Sequence, residues 1–272
     1  MYNNRARFPD HAQHFARWAA ESAAVRAAGN ADLDIAYGAG ARETLDVFAP
    51  HQRNAPVLVF IHGGYWRALD KSDHSFVAQA FTRAGACVVI PNYGLCPAVS
   101  VAQIGVQLVR ALAWTWRHIA RYGGDPRRIV VAGHSAGGHL ASLLLACDWP
   151  AFDAALPRRL VPRALSISGL YDLEPIMRTP HLQGTLGLTP DVVQRASPAR
   201  LPAPRDTILY ALVGGLESAE FLRQNALIRQ AWGRRTVAVC EVLPEQDHFT
   251  VVGALTEPAH RLHRLARGLL LA

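Results

Sequence analysis

Residues 129–139 read IVVAGHSAGGH, and the reactive group among them is a single serine hydroxyl. Glycine stands two positions before Ser135 and two after it, at Gly133 and Gly137. An ordinary turn serine needs neither. A serine held on a sharp strand-to-helix turn needs both, because its backbone is strained and a neighbouring chain passes too close for side chains there. Aliphatic and small residues (Ile129 to Ala132) precede the pentapeptide, and the helix-like run GHLASLLLACDW follows. That is the setting in which a G-x-S-x-G turn lifts a serine Oγ into position as a nucleophile.

Such a serine works with a base, an acid and donors for the developing oxyanion, and in an open parallel sheet these belong at the carboxyl ends of the strands. Each end supplies a candidate. The run Val57–Ile61 leads into His62-Gly63-Gly64-Tyr65-Trp66. The N–H groups of Gly63 and Gly64, with that of Ala136, are the expected oxyanion hole. The run Thr207–Val213 leads into Gly214-Gly215-Leu216-Glu217, which offers Glu217 as the triad acid, and the last strand leads into PEQDHF, which offers His248 as the base. Ser135, Glu217 and His248 then follow the chain order nucleophile, acid, histidine. Asp172, just past the strand in SISGLYD, is the competing acid; Asp247 adjoins His248, and neighbours in sequence rarely aim side chains at one another. His134 is the variable position of the turn, and His62 is expected to brace the oxyanion loop. His11, His14, His260 and His263 fall at helical spacings and read as surface or packing residues.

The elements that must hold these groups are legible from periodicity. His11–Ala28 spaces Phe15, Trp18, Ser22 and Val25 as one amphipathic helix. Leu33–Tyr37 and Thr44–Phe48, separated by GAGARE, form a hairpin expected at the antiparallel edge of a sheet. Strands and helices then alternate: strand 57–61, helix 73–83, strand 86–90, helix 101–122, the strand and helix around Ser135, strand 164–168, strand 207–213, helix 220–232, strand 237–242 and helix 259–271. Short, apolar strands between helices imply a mostly parallel central sheet of about eight strands with helices on both faces. No linker divides the chain, so residues 1–272 are expected to form a single domain. Residues 170–204 carry six prolines and little periodicity, which suggests a lid-like insertion that shapes the substrate site.

Composition excludes several classes. The chain carries 28 Lys+Arg against 21 Asp+Glu, a formal charge of +7, yet its basic residues are scattered and no run of five or six occurs. Nucleic acid is therefore not an expected partner. The start, MYNNRARFPDHAQHF, lacks the apolar core of a secretory signal, and no stretch approaches 18 uncharged apolar residues. Neither a membrane partner nor export is expected, and the location read from this is cytoplasmic. Cys87, Cys96, Cys147 and Cys240 show no metal-binding spacing; Cys87 and Cys240 lie in strand-like runs and are expected as small buried thiols. No metal or organic cofactor is implied. The partner is a small-molecule substrate, with a homodimer as the assembly considered.

HGGYW, GHSAGGH, a G-x-E-S and a terminal DHF together resemble the kynurenine formamidase (arylformamidase) branch of the α/β-hydrolases, near the hormone-sensitive-lipase-like esterases. The resemblance runs from about residue 30 to 270. It implies an α/β-hydrolase fold, an oxyanion hole at Gly63, Gly64 and Ala136, and Tyr65 and Trp66 flanking the substrate. HGGYW is its sharper part, because the lipase-like esterases usually carry a third glycine, whereas an HGG-x-W sequence points toward the formamidases. In that branch the acid is usually aspartate, and Glu217 is one methylene longer. The resemblance implies cleavage of the N-formyl amide of N-formyl-L-kynurenine to kynurenine and formate through a formyl-enzyme. The alternative is a carboxylesterase for short-chain acyl esters with the same triad; a non-catalytic binder of this fold would typically have lost the serine or histidine.

Overall fold

The computed structural model describes all 272 residues. Its strands are β1 (Ala31–Ala36), β2 (Thr44–Phe48), β3 (Ala55–Ile61), β4 (Cys87–Pro91), β5 (Gly124–His134), β6 (Arg163–Ile167), β7 (Ile208–Gly214) and β8 (Val237–Leu243). They form one sheet in the order β1-β2-β4-β3-β5-β6-β7-β8. β1 and β2 pair antiparallel, as does β2 with β4; every other pairing is parallel. The hairpin read from the GAGARE spacer does form the antiparallel edge, and the eight strands match those expected.

Covering both faces makes the central strands apolar throughout. In β3, Val57, Val59 and Ile61 enter one core and Leu58 and Phe60 the other, and all seven residues are buried. β5 divides in the same way, with Ile129 and Val131 on one side and Val130 and Ala132 on the other. Alternate residues of a strand face opposite sides, so a strand between two helical layers must be apolar at every position. Helices Val101–His118, Ala136–Leu145 and Ala219–Thr236 bury residues in the first core. Helices His11–Ala27, Phe76–Arg83 and Arg261–Leu271 cover the second through Trp18, Phe76, Phe81 and Leu262. Cys87 is buried in β4 as expected, whereas Cys240 is half-buried because β8 is the sheet's outer strand.

Two local features differ from the periodicity. The segment 170–204 is not a bare loop: it folds as short helices Glu174–Met177, Pro180–Leu186 and Pro190–Ala196 and a 3-10 turn Pro198–Arg200. Each begins with proline at its first or second position, where the missing N–H would have had no partner. Four prolines that suggested irregular chain are thus helix starters. The only lysine, Lys71, is buried and donates to Asp34 (2.6 Å) and Asp46 (2.7 Å), with Arg26 also on Asp46. This cluster ties the N-terminal helix to the edge hairpin.

Candidate active site

β5 ends at His134, and Ser135 turns the chain into the helix Ala136–Leu145. Ser135 has φ 56° and ψ −117°, a conformation that costs a non-glycine residue about 1–3 kcal/mol. Both glycines are required by contact. A Cβ on Gly133 would lie 2.2 Å from the Gly137 carbonyl oxygen, and one on Gly137 would lie 2.0 Å from that of Ile61. The turn is anchored across the sheet by the Ser135 N–H, which donates to the Ile167 carbonyl at 2.8 Å. Strain at the serine is therefore imposed by the strands on either side.

His248 and Glu217 arrive from the ends of β8 and β7. His248 Nε2 lies 3.1 Å from Ser135 Oγ, and His248 Nδ1 lies 2.6 Å from Glu217 Oε2. All three residues are buried. The other carboxylate oxygen, Oε1, accepts from the Gly214 N–H at 2.9 Å and from Ser168 Oγ at 2.5 Å. Glu217 is thus clamped on both oxygens. The competing acids are engaged elsewhere. Asp172 pairs with Arg200 at 3.0 Å, and Asp247 accepts from the N–H groups of Phe249 and Thr250, which shapes the loop carrying His248.

The loop after β3 passes over Ser135. A Cβ on Gly63 would lie 3.2 Å from Ser135 Cβ; Gly64 has φ 104°, and a Cβ there would lie 2.2 Å from the Ala68 carbonyl oxygen. Neither the Gly63 nor the Gly64 N–H donates to any group in the protein. With the Ala136 N–H at the start of its helix, they are donors an oxyanion beside Ser135 could use. His62 braces this loop: its Nδ1 lies 2.8 Å from the Gly63 carbonyl, and its ring stacks on Tyr93 at 4.3 Å. Burial pushes the His62 pKa down to about 3, which keeps the ring neutral. Burial, then the neighbouring His248, also lowers His134, whose ring lies 4.6 Å from that of His248.

These groups meet at a small cavity of about 70 Å³. Ser135, His134, His248, Gly64 and Tyr65 are among its lining residues. Trp66 is not. Its side chain is fully buried beneath the loop and meets the edge of His139 at 5.0 Å, so the expected place beside the substrate is corrected to a packing position. Tyr65 reaches the cavity and donates its hydroxyl to the Tyr2 carbonyl at 2.7 Å. That bond holds an N-terminal arm, Tyr2 to Arg7, against the site, and Tyr2, Asn3, Asn4 and Arg5 complete the wall with Trp18, Phe15 and Phe249. His11 and His14 pack near the Phe249 ring and His263 stacks on Phe81, as packing residues do.

Sequence reasoning therefore named the residues that the structure brings together at Ser135, but it missed two contributors. Ser168 sits at the end of β6 with φ 52°, and that strand-end position was a usable signal. The arm carried none, since four polar or basic residues near a chain start have no periodicity to read. No group of three or more His, Cys, Asp or Glu is placed to hold a metal ion, and no helix is long and apolar enough to cross a membrane.

Comparison with known proteins places the chain among hydrolases of this fold. The family model described as BD-FAE matches residues 45–156. A kynurenine formamidase from Danio rerio is 30% identical over 241 residues, covering 86% of this chain and 80% of that protein. The esterase LipQ of Mycobacterium tuberculosis is 38% identical over 152 residues, but these span only 52% of this chain and 35% of LipQ. A crystal structure from Silicibacter sp. TM1040, which carries a provisional thioesterase name, superposes with a TM-score of 0.85 at 31% identity, covering 100% of this chain and 97% of that one. With this fold, and with full-length similarity of this kind, the chain belongs to the α/β-hydrolase superfamily and, within it, to the family that includes the kynurenine formamidases, and it is a hydrolase of small organic substrates.

Proposed function

We propose that the chain is a serine hydrolase that cleaves small acyl esters through an acyl-enzyme on Ser135. The observation that carries this reading is the line Ser135–His248–Glu217, with contacts of 3.1 and 2.6 Å, whose Ser135 and His248 line a small cavity. His248 Nε2 takes the hydroxyl proton as Oγ attacks the acyl carbonyl. Glu217 keeps the proton of the neutral imidazole on Nδ1 and stabilises the cation that forms. The tetrahedral oxyanion is received by the N–H groups of Ala136, Gly63 and Gly64. His248 then protonates the leaving oxygen or nitrogen, and water, activated by the same imidazole, releases the acid. A narrow cavity favours a short acyl chain. Helix 180–186 brings His181 to the cavity, and Arg67 donates to the His181 carbonyl at 2.9 Å; the 170–204 segment is read as the lid-like part that shapes the leaving-group side.

A second reading, hydrolysis of an aryl formamide such as N-formylkynurenine, is favoured by one observation: the formamidase match spans most of both chains, whereas the LipQ match spans about half of this one. The sequence motifs put formamide first. The ester comes first here because esterases recur among the relatives and an activated ester asks less of the machinery. One measurement orders the two: kcat/KM for phenyl acetate, phenyl butyrate and N-formylkynurenine on a single preparation. The ester reading expects acetate to exceed butyrate and formamide turnover to be the slowest. Formylkynurenine above both esters reverses the order, and no turnover of any of the three refutes both readings.

A further inference from the structure

Residues that line the cavity hold buried side-chain polar atoms that the fold leaves unsatisfied. Eleven buried side-chain nitrogen or oxygen atoms lack a hydrogen-bond partner in the protein. Four of them, Asn4 Nδ2, Asn4 Oδ1, Trp18 Nε1 and His134 Nε2, belong to residues that line this one cavity. Buried polar groups in a folded protein are nearly always paired, so a concentration of unpaired ones marks a place where something else is to be bound. Asn4 is the clearest case. It is 4% exposed, and neither end of its carboxamide reaches a partner.

The position of Asn4 is secured by other residues. Tyr65 holds the Tyr2 carbonyl, the Tyr2 hydroxyl donates to Glu220 at 2.7 Å, and Gln224 donates to that hydroxyl at 3.0 Å. Arg7 donates to the Leu216 carbonyl at 3.1 and 3.2 Å, in the turn that carries Glu217. The arm is thus tied down on both sides of Asn4 without help from the Asn4 side chain. A carboxamide on a residue of the wall, with its donor and its acceptor both unused, is suited to reading a ligand.

We propose that Asn4 is a specificity-determining residue, whose Oδ1 accepts from an N–H or O–H of the substrate and whose Nδ2 donates to a substrate carbonyl. This rests on the reading of Ser135 as the nucleophile. An ester group offers only acceptors, so Oδ1 selects substrates that carry a donor near the scissile bond. The preference is set by the arm, which lies far in sequence from Ser135, Glu217 and His248.

The test uses two molecules of one shape that differ at one atom, phenyl acetate (oxygen) and acetanilide (N–H). KM for the ester, and the inhibition constant of acetanilide against ester hydrolysis, are measured for the wild type, Asn4→Ala and Asn4→Leu. Each preparation is first titrated with a fluorophosphonate to count reactive Ser135. Both variants are expected to weaken acetanilide about tenfold more than they weaken the ester, because the ester can lose only the bond to its carbonyl whereas the anilide also loses the bond its N–H gives to Oδ1. Unchanged acetanilide binding, or equal weakening of anilide and ester, overturns the proposal and leaves Asn4 a wall residue. Failure of the wild type to react with the fluorophosphonate instead removes the nucleophile reading beneath it, so the two failures are told apart.

Discussion

Glu217→Gln should stop turnover while leaving the fold in place, and the structure says why so small a change acts so strongly. The carboxylate receives three hydrogen bonds: Gly214 N–H and Ser168 Oγ on Oε1, and His248 Nδ1 on Oε2. A glutamine must put its NH₂ at one of these ends. Gly214 N–H is a fixed backbone donor and cannot accept, so the amide oxygen stays beside it and the NH₂ faces His248. Nδ1 must then accept, and the single proton of the neutral imidazole moves to Nε2, where it points at Ser135 Oγ. The base becomes a donor. In a comparable triad, an acid-to-amide change costs about four orders of magnitude in kcat, about 5.4 kcal/mol in the barrier. Since the number of hydrogen bonds is preserved, the urea midpoint should move little. Asp172→Asn is the matched control: it loses part of a partly exposed pair with Arg200, worth about 0–1 kcal/mol of stability, and should keep turnover within about tenfold of wild type. Initial rates of phenyl acetate hydrolysis, normalised to protein that binds a fluorophosphonate or, for the slow variant, to native circular dichroism, make the comparison. A Glu217→Gln enzyme within tenfold of wild type, or a larger loss from Asp172→Asn, would refute the assignment of the acid.

Three further outcomes are expected. Ser168→Ala removes one of the two bonds to Oε1 and should lower kcat about 10- to 100-fold with KM within a factor of two, as loss of a hydrogen bond to a charged group predicts; Ser168→Thr should recover part of it, and a change confined to KM contradicts the positioning role. Gly137→Ala should cost about 1–3 kcal/mol of stability and most of the activity, because its Cβ would lie 2.0 Å from the Ile61 carbonyl oxygen; a fully active, fully stable variant would be inconsistent with the turn described. Acid should destabilise the fold through its buried histidines. Burial holds His62 near about 3 and His139 near about 4. As the pH falls below about 6.5 the unfolded chain takes up protons that the folded one refuses, so stability is lost down to those values, by roughly 2 kcal/mol per histidine at pH 5. Urea unfolding at pH 7 and pH 5 measures this, and His139→Gln should show about 2 kcal/mol less loss than wild type; equal losses contradict it.

The parts of this molecule that were legible before the fold are those where one residue type answers one physical demand. Gly133 and Gly137 could be read because no other residue tolerates those contacts, and Glu217 and His248 because strand ends in a parallel sheet converge on one edge. β3 and β5 were legible because strands covered on both faces must be apolar throughout. What escaped depends on where distant segments meet. Trp66 follows the oxyanion glycines in the chain, yet φ 55° turns it inward beneath the loop, away from the cavity. Four of the six prolines of 170–204, which suggested irregular chain, are helix starters, a distinction set by each proline's position relative to the first turn. Asn4 acquires its place only because the arm is pinned by Tyr65, Glu220 and Gln224, which lie between 61 and 220 residues further along the chain.

A serine hydrolase of this kind must carry the acyl group on Ser135 during turnover. The direct measurement is the mass of the protein after mixing with excess phenyl acetate and quenching in acid within milliseconds, followed by peptide mapping. The expected result is one added acetyl group per chain, on the peptide that holds Ser135, formed faster than it decays and absent from Ser135→Ala. An acetyl group on any other residue, or turnover by Ser135→Ala above a tenth of the wild-type rate, would contradict it.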